Sequence, residues 1–265
     1  MMRPLAEFPH ALRSRIRGVL FDIDDTLTTD GRLTAAAYAA MENLQRAGLL
    51  VIPITGRPAG WCDHIARMWP IDAVVGENGA FYFRYDRAAR HMVRRYAASS
   101  EQRAANREGL AAVRDRILRA VPGCAVAADQ HYREADLAID YCEDVPRLQP
   151  DAVAKIVALM QQAGLTAKVS SIHVNGWFGS YDKLSMTKTA LLECCGIDLD
   201  ARREEFAFAG DSPNDAPMFA YFPLAVGVAN IRAFSGQLTT QPAYVTQAAS
   251  GAGFCELVDF LLAAR

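Results

Sequence analysis

Three short apolar runs in the first third of the chain, GVLFDI (18–23), LLVIPI (49–54) and DAVVG (72–76), are separated by helical stretches. Such runs lack the apolar/polar alternation of a strand with one wet face, so each must be buried on both faces. The intervening stretches supply the cover: TAAAYAAMENLQRAG (34–48), with Thr34 as N-cap and Gly48 as stop, and AGWCDHIARMW (59–69). Strand, helix and strand in this order predict right-handed βαβ units and a parallel sheet. A β-hairpin is expected over 80–97, turning around Asp86 to Ala89. After Lys183 the rhythm resumes with a helix in TKTALLECCG, strands at 204–210, 224–229 and 243–246, and a closing helix in GFCELVDFLLAAR.

The middle of the chain has another rhythm. A long charged helix (99–121) precedes two short strands (125–129 and 137–142), and a second helix (150–164) precedes two more (166–177). Helix-strand-strand twice over is an antiparallel α+β unit of small-domain length. The expected fold is therefore α/β: a doubly wound, Rossmann-like parallel sheet core (1–97 and 184–265) interrupted by a smaller α+β cap (98–183).

With 265 residues and a formal charge of −2, the chain offers no basic field for nucleic acid or an anionic membrane. The N-terminus does not read as a secretory signal and no run of 18 apolar residues occurs, so a cytoplasmic protein with no membrane span is expected. The six cysteines form no CxxC pair, which fits reduced thiols in that compartment. No GxGxxG follows the first strand, which argues against a dinucleotide-binding oxidoreductase.

Ligands of open α/β sheets bind beyond the carboxyl ends of the strands, and polar clusters gather there in this sequence. Asp22 and Asp24 end the first strand, TGR (55–57) the second, GENGA (76–80) the third, and GDSPND (210–215) a later one. Asp22, Asp24, Asp211 and Asp215 brought together bare would repel one another. A hard dication such as Mg²⁺ resolves this; protonation or an arginine network is the alternative. Arg57 is the one arginine near the motifs, which favours the metal. Lys188 reads as lying in the first turn of a helix, where a cation is disfavoured unless an anion shares the site, although a solvated surface lysine is the ordinary alternative.

DIDDT, TGR, Lys188 and GDSPND, in that order, resemble the four motifs of the haloacid dehalogenase superfamily of phosphohydrolases. The insert, ENGA and the tail VGVAN…AYVT…GAGF are similar to its Cof-type branch, which includes sugar phosphatases. The resemblance implies a Mg²⁺-dependent phosphomonoester hydrolase acting on a small phosphorylated metabolite such as a sugar phosphate. It implies Asp22 as nucleophile, forming an aspartyl-phosphate, and Asp24 as general acid and then base. Thr55 and Gly56, with Asn214, would hold the phosphoryl group, and Lys188 would offset its charge. The metal would take the Asp22 carboxylate, the Asp24 backbone carbonyl and Asp211, with Asp215 close by. A phosphotransferase or sugar phosphomutase would use the same aspartates, and a non-catalytic ligand-binding protein on this fold is a third reading.

The sequence departs from the family in two places. Asp25 stands where the branch commonly has Gly, so a turn role is expected for it. VAN replaces the commoner GNA, which leaves Asn230 without a role; Asn78 serves equally as a turn residue or a site residue. In the cap, Ser171, His173 and Asn175 share one side of a strand. Such a polar row suits a polyol, and a solvent-facing sheet edge explains it equally. Trp177 is expected in the core, and Asp182 and Lys183 either reach the site at the hinge or form a surface ion pair.

Overall fold

The structure is a computed structural model that describes residues 2–265. Thirteen strands are found among the described residues: β1 (Arg3–Pro4), β2 (Gly18–Phe21), β3 (Leu50–Pro53), β4 (Val74–Gly76), β5 (Phe81–Asp86), β6 (His91–Tyr96), β7 (Ala125–Val126), β8 (Asp136–Asp140), β9 (Thr166–Val169), β10 (His173–Trp177), β11 (Phe206–Gly210), β12 (Ala225–Gly227) and β13 (Tyr244–Val245). The helices are α1 (His10–Arg13), α2 (Ala35–Arg46), α3 (Ala59–Met68), α4 (Ser100–Ala120), α5 (Pro150–Gln162), α6 (Lys183–Cys195), α7 (Leu199–Arg202), α8 (Ala216–Tyr221) and α9 (Ser250–Leu262).

The core is a six-stranded parallel sheet in the order β1-β13-β12-β11-β2-β3, as the apolar runs require. Alternation along its strands divides the packing. Val19, Phe21, Val51, Ala207 and Ala209 face α2, α3 and α9; Leu20, Ile52, Phe206 and Phe208 face α6 and α8. Among the elements that differ from the sequence expectation are three in the core. Arg3–Pro4 adds an edge strand too short to carry a periodic signal. β4 joins the main sheet only by a parallel bridge between Ile54 and Val75, and pairs antiparallel with the hairpin β5-β6. α6 begins at Lys183, a full turn earlier than TKTALL suggests.

The cap is a four-stranded antiparallel sheet, β7-β8-β10-β9. Leu137, Ile139 and Val174 pack on α4 and α5 through Leu110, Ile117, Ile156 and Met160. Asp136, Asp140, His173 and Asn175 alternate with them and belong to the opposite face, where all four are buried. The solvent-edge reading of the polar row is thus overturned, because that face is covered by the core. Trp177 is buried, as expected. No helix among the described residues is long and apolar enough to cross a membrane.

The first turn of α6 is built by a capping box: the Ser185 amide donates to Asp182 Oδ1 (2.7 Å) and the Asp182 amide donates to Ser185 Oγ (3.0 Å). Gly79 lets this turn approach the loop after β4. It has φ +106°, and a Cβ there would stand 2.0 Å from the Asp182 carbonyl oxygen. Gly79→Ala is therefore expected to cost on the order of 2 kcal/mol, lowering the thermal midpoint by about 5 °C in calorimetry.

Candidate active site

β2 and β11 are adjacent and parallel, so the residues that follow them leave the sheet side by side. Asp22 and Asp211 lie at those ends, and Asp215 follows one short turn later. One carboxylate oxygen from each of Asp22, Asp211 and Asp215 falls within a mutual spacing of 4.8 Å, and all three residues are buried. Lys183 Nζ enters the cluster, donating to Asp22 Oδ2 (3.0 Å) and Asp215 Oδ1 (2.8 Å). The remaining oxygens are held too. Asp22 Oδ1 accepts from the Ile23 amide (2.8 Å), Asp215 Oδ2 from the Asp211 amide (3.2 Å) and Asp211 Oδ1 from Thr26 Oγ1 (3.1 Å).

One ammonium does not balance three carboxylates. Burial pushes the Asp22 carboxyl up to about 7, with Asp215 and Asp24 adding to the push and Lys183 opposing it. Burial first, then Asp215 and Asp22, also raises Asp211 well above the carboxylate range. Lys183 itself is held above the ordinary lysine value: burial would lower it, but Asp215 and Asp22 outweigh burial. A buried, all-oxygen, charge-deficient cluster of this kind fits a hard dication.

Asp24 does not share that cluster. Its carboxylate is gripped by Arg57, with Nε 3.0 Å from both oxygens and Nη2 2.8 Å from Oδ1. Thr55 is buried, and its Oγ1 accepts from the Arg57 amide at 3.0 Å. The Gly56 carbonyl accepts from Arg133 of the cap (2.9 Å). Asn214 accepts from Ser212 Oγ (2.6 Å) and lines the same narrow cleft as Asp22, Asp24, Gly56, His173 and Asn175. Asp25 takes φ +57°, a left-handed turn position that suits the glycine found there in the family the sequence resembles.

The expectation for Lys188 is corrected. Its Nζ is 2.6 Å from Asp200 Oδ1 at the protein surface and lies over the Tyr221 ring. Lys183 and Lys188 are five positions apart, about 140° around a helix, so both cannot face the carboxylates. Because α6 starts at Lys183, the first-turn cation is Lys183, and Asp22 and Asp215 are the anions that offset its unfavourable place at the helix N-terminus. The signal was available: Asp182 and Ser185 have capping-box spacing. Asn230 also joins the site, its Nδ2 donating to Asp211 Oδ2 (3.2 Å) and to the Asp25 carbonyl (3.0 Å).

The cap is fastened to the core beside these residues. Arg57 Nη2 reaches Glu143 Oε1 (3.0 Å), and Glu143 Oε2 lies 2.8 Å from His173 Nε2. Asn175 donates to Asp136 (2.9 Å), itself bound by the fully buried Arg133. Glu77, unassigned in the sequence, accepts from the amides of Ala59 in the core and of Glu134, Ala135 and Asp136 in the cap. Burial, then Asp136, pushes it up to about 8. With the cap in this position the space over Asp22 is about 20 Å³, room for one water.

Residues 19–104 match the sequence model of the haloacid dehalogenase-like hydrolase family. The sequence matches none of the curated proteins. Among solved structures, protein 0175 of Thermoplasma acidophilum superposes with TM-score 0.69 at 19% identity, covering 93% of this chain and 98% of that one. A putative HAD/COF-like hydrolase from Plasmodium vivax gives 0.68 at 16% identity, covering 95% and 97%. The sucrose-phosphatase of Synechocystis, solved with sucrose and phosphate, gives 0.63 at 15%, covering 93% and 98%. The first third of the chain thus resembles that family in sequence, and the chain as a whole shares the fold of these structures.

Two predictions follow from the charges. In metal-free buffer at pH 8, Lys183→Met should lose on the order of 3 kcal/mol of stability in urea denaturation, since it strands buried carboxylates, while Lys188→Met should lose under about 1 kcal/mol. Glu143 is held down to about 2 from 4.5, first by its hydrogen bond with His173 and then by Arg57, against the opposing effect of burial. A depressed carboxyl contributes stability that is complete above its unfolded value and lost as pH falls toward the folded one. The stability advantage of the native chain over Glu143→Gln should therefore shrink between pH 4.5 and pH 2 in acid titrations followed by circular dichroism.

Proposed function

We propose that the chain is a Mg²⁺-dependent phosphomonoesterase acting through an aspartyl-phosphate on a small phosphorylated metabolite, a sugar phosphate by class, in the cytoplasm. The observation that carries the reading is the buried convergence of Asp22, Asp211, Asp215 and Lys183 at the carboxyl edge of the sheet. The fold shared with a sucrose-phosphatase supports the substrate class.

Asp22 attacks phosphorus while the ester oxygen leaves with a proton from Asp24, giving an aspartyl-phosphate and a free alcohol. Asp24, now ionised, takes a proton from water as that water attacks phosphorus, returning the Asp22 carboxylate and inorganic phosphate. Lys183, already on Asp22, offsets the charge of the equatorial oxygens, and Thr55, Gly56 and Asn214 orient the phosphoryl group. Bound Mg²⁺ would lie between Asp22, Asp211 and Asp215, with the Asp24 carbonyl as a further ligand, and supply Lewis-acid charge neutralisation. Asn230 and Thr26 fix the Asp211 carboxylate.

A phosphoester cannot enter a space of about 20 Å³, so the cap must lift for each turnover. Lifting separates Arg57 from Glu143 and Arg133 from the Gly56 carbonyl. Once reclosed, the cap brings His173 and Asn175 over the substrate, which accounts for their proposed part in specificity.

Asp22→Asn is expected to reduce phosphate release from p-nitrophenyl phosphate by at least about a thousandfold with an unchanged circular dichroism spectrum. Chelation should abolish turnover of the native chain and added Mg²⁺ should restore it. Native-level turnover in Asp22→Asn, or in metal-free protein, would reject the corresponding assignment.

A further inference from the structure

Two cavities adjoin the narrow cleft over Asp22, and they meet it through different residues. The larger, about 850 Å³, lies between α5 and the core and shares Ser170, Ser171 and Ser212 with the cleft. The other, about 490 Å³, shares Asp24 and Arg57 with it. Its wall is apolar and aromatic: Leu33, Ile65, Trp61 and Trp69, with Tyr132 of the cap across the mouth. That is the size and character of a small-molecule site. Trp61 and Tyr132 are 43% and 49% exposed, unusual for large apolar side chains beside a buried ion pair.

Three local features hold this wall in place. Arg57 lies over one face of the Trp61 ring, its Cζ 4.6 Å from the ring centroid, while its Nε and Nη2 grip Asp24. Tyr132 precedes the buried Arg133, whose Nη1 is anchored on the Gly56 carbonyl. Gly60 on α3 allows Tyr132 to pack against the helix backbone, since a Cβ there would stand 2.9 Å from the Tyr132 Cβ.

We propose that this cavity is the leaving-group subsite and that it selects phosphoesters of alcohols with a flat, apolar ring face, narrowing the sugar-phosphate class above to rings that present such a face. The inference rests on the phosphatase reading above. In that reading the ester oxygen must come within hydrogen-bond reach of Asp24, and only one of the two cavities has Asp24 in its wall. A ring entering it stacks beside Trp61 and under Tyr132, which supply flat apolar area with little rotamer entropy to lose. The few polar side chains lining it, His64 among them, suit a ring with an occasional polar substituent.

The test compares 2-naphthyl phosphate with ethyl phosphate in native protein, Trp61→Ala, Tyr132→Ala and Val157→Trp, the last narrowing the larger cavity. Trp61→Ala and Tyr132→Ala should raise KM for the naphthyl ester at least tenfold, change kcat less than threefold, and leave kcat/KM for ethyl phosphate within twofold. Val157→Trp should leave both esters within twofold. Equal effects on the two esters, or a naphthyl-selective defect in Val157→Trp alone, would overturn the proposal. Binding of the product alcohol 2-naphthol, measured by calorimetry, separates it from the chemistry. The native chain and Asp22→Asn should bind it alike and Trp61→Ala at least tenfold more weakly. If no ester is hydrolysed but this pattern holds, the phosphatase reading fails and the cavity stands as a ring-binding site. If the naphthol pattern is absent, the subsite is wrong whatever the turnover.

Discussion

Lys183 bridges two buried carboxylates, and the carboxyl edge of the sheet is organised around that bridge. Without a cation, Asp22, Asp211 and Asp215 would be three like charges in a place where water cannot screen them. The lysine is delivered by the first residue of α6, whose position is set by the Asp182–Ser185 capping box and by the close approach to Gly79. A helix N-terminus is a poor place for a cation, and two carboxylates are a poor pair to bury; each defect offsets the other. One ammonium against three carboxylates still leaves the cluster short of positive charge, and burial drives Asp22 and Asp211 toward protonation. That residual deficit is the physical reason to expect a divalent cation at this edge.

The cap is held by a second set of buried charges that never touches the first. Glu77 binds amides of both units, Arg133 ties Asp129 and Asp136 to the Gly56 carbonyl, and Arg57 links Asp24 to Glu143. Such contacts gain little net free energy over their desolvation cost, but they impose one geometry. For a lid this is the useful property. In the proposed cycle such contacts would return the cap to one position and leave opening accessible.

How far the sequence disclosed this depends on whether the signal was local. The buried runs at 18–23, 49–54 and 204–210 carry their own fold information, and Asp22, Thr55 and Asp211 follow from being the residues at their ends. Lys183 and Lys188 could be told apart only by the helix register, which TKTALL obscures and the Asp182–Ser185 spacing reveals. Glu77 carries no local signal, since its cap partners lie up to 59 positions away; Arg133 shows only the local spacing of Asp129 and Asp136, while its core partner Gly56 is 77 positions off. Asn230 was obscured by its departure from the family pattern, yet its amide reaches Asp211 and the turn at Asp25 together. Met1 lies outside the described residues.

Arg57 spans core and cap beside Asp24, and its position bears on the order of events. The bidentate grip of Arg57 engages both Asp24 oxygens, so in the proposed chemistry Asp24 can serve the leaving oxygen only when that grip loosens. The same guanidinium binds Glu143, so its charge is shared between core and cap only while the cap is closed. In the proposed opening, Glu143 and Asp129 would depart with the cap and leave Arg57 with Asp24 and Trp61. A substrate entering with its own negative phosphoryl group competes for that guanidinium. Arg57 drawn toward the phosphoryl group would relax its hold on Asp24 and free a carboxylate oxygen to face the ester oxygen. After the alcohol leaves, restoring the Arg57–Asp24 pair would orient the Asp24 oxygens toward the attacking water. One arginine in TGR can thus serve both half-reactions, because the two halves differ in what else competes for its charge.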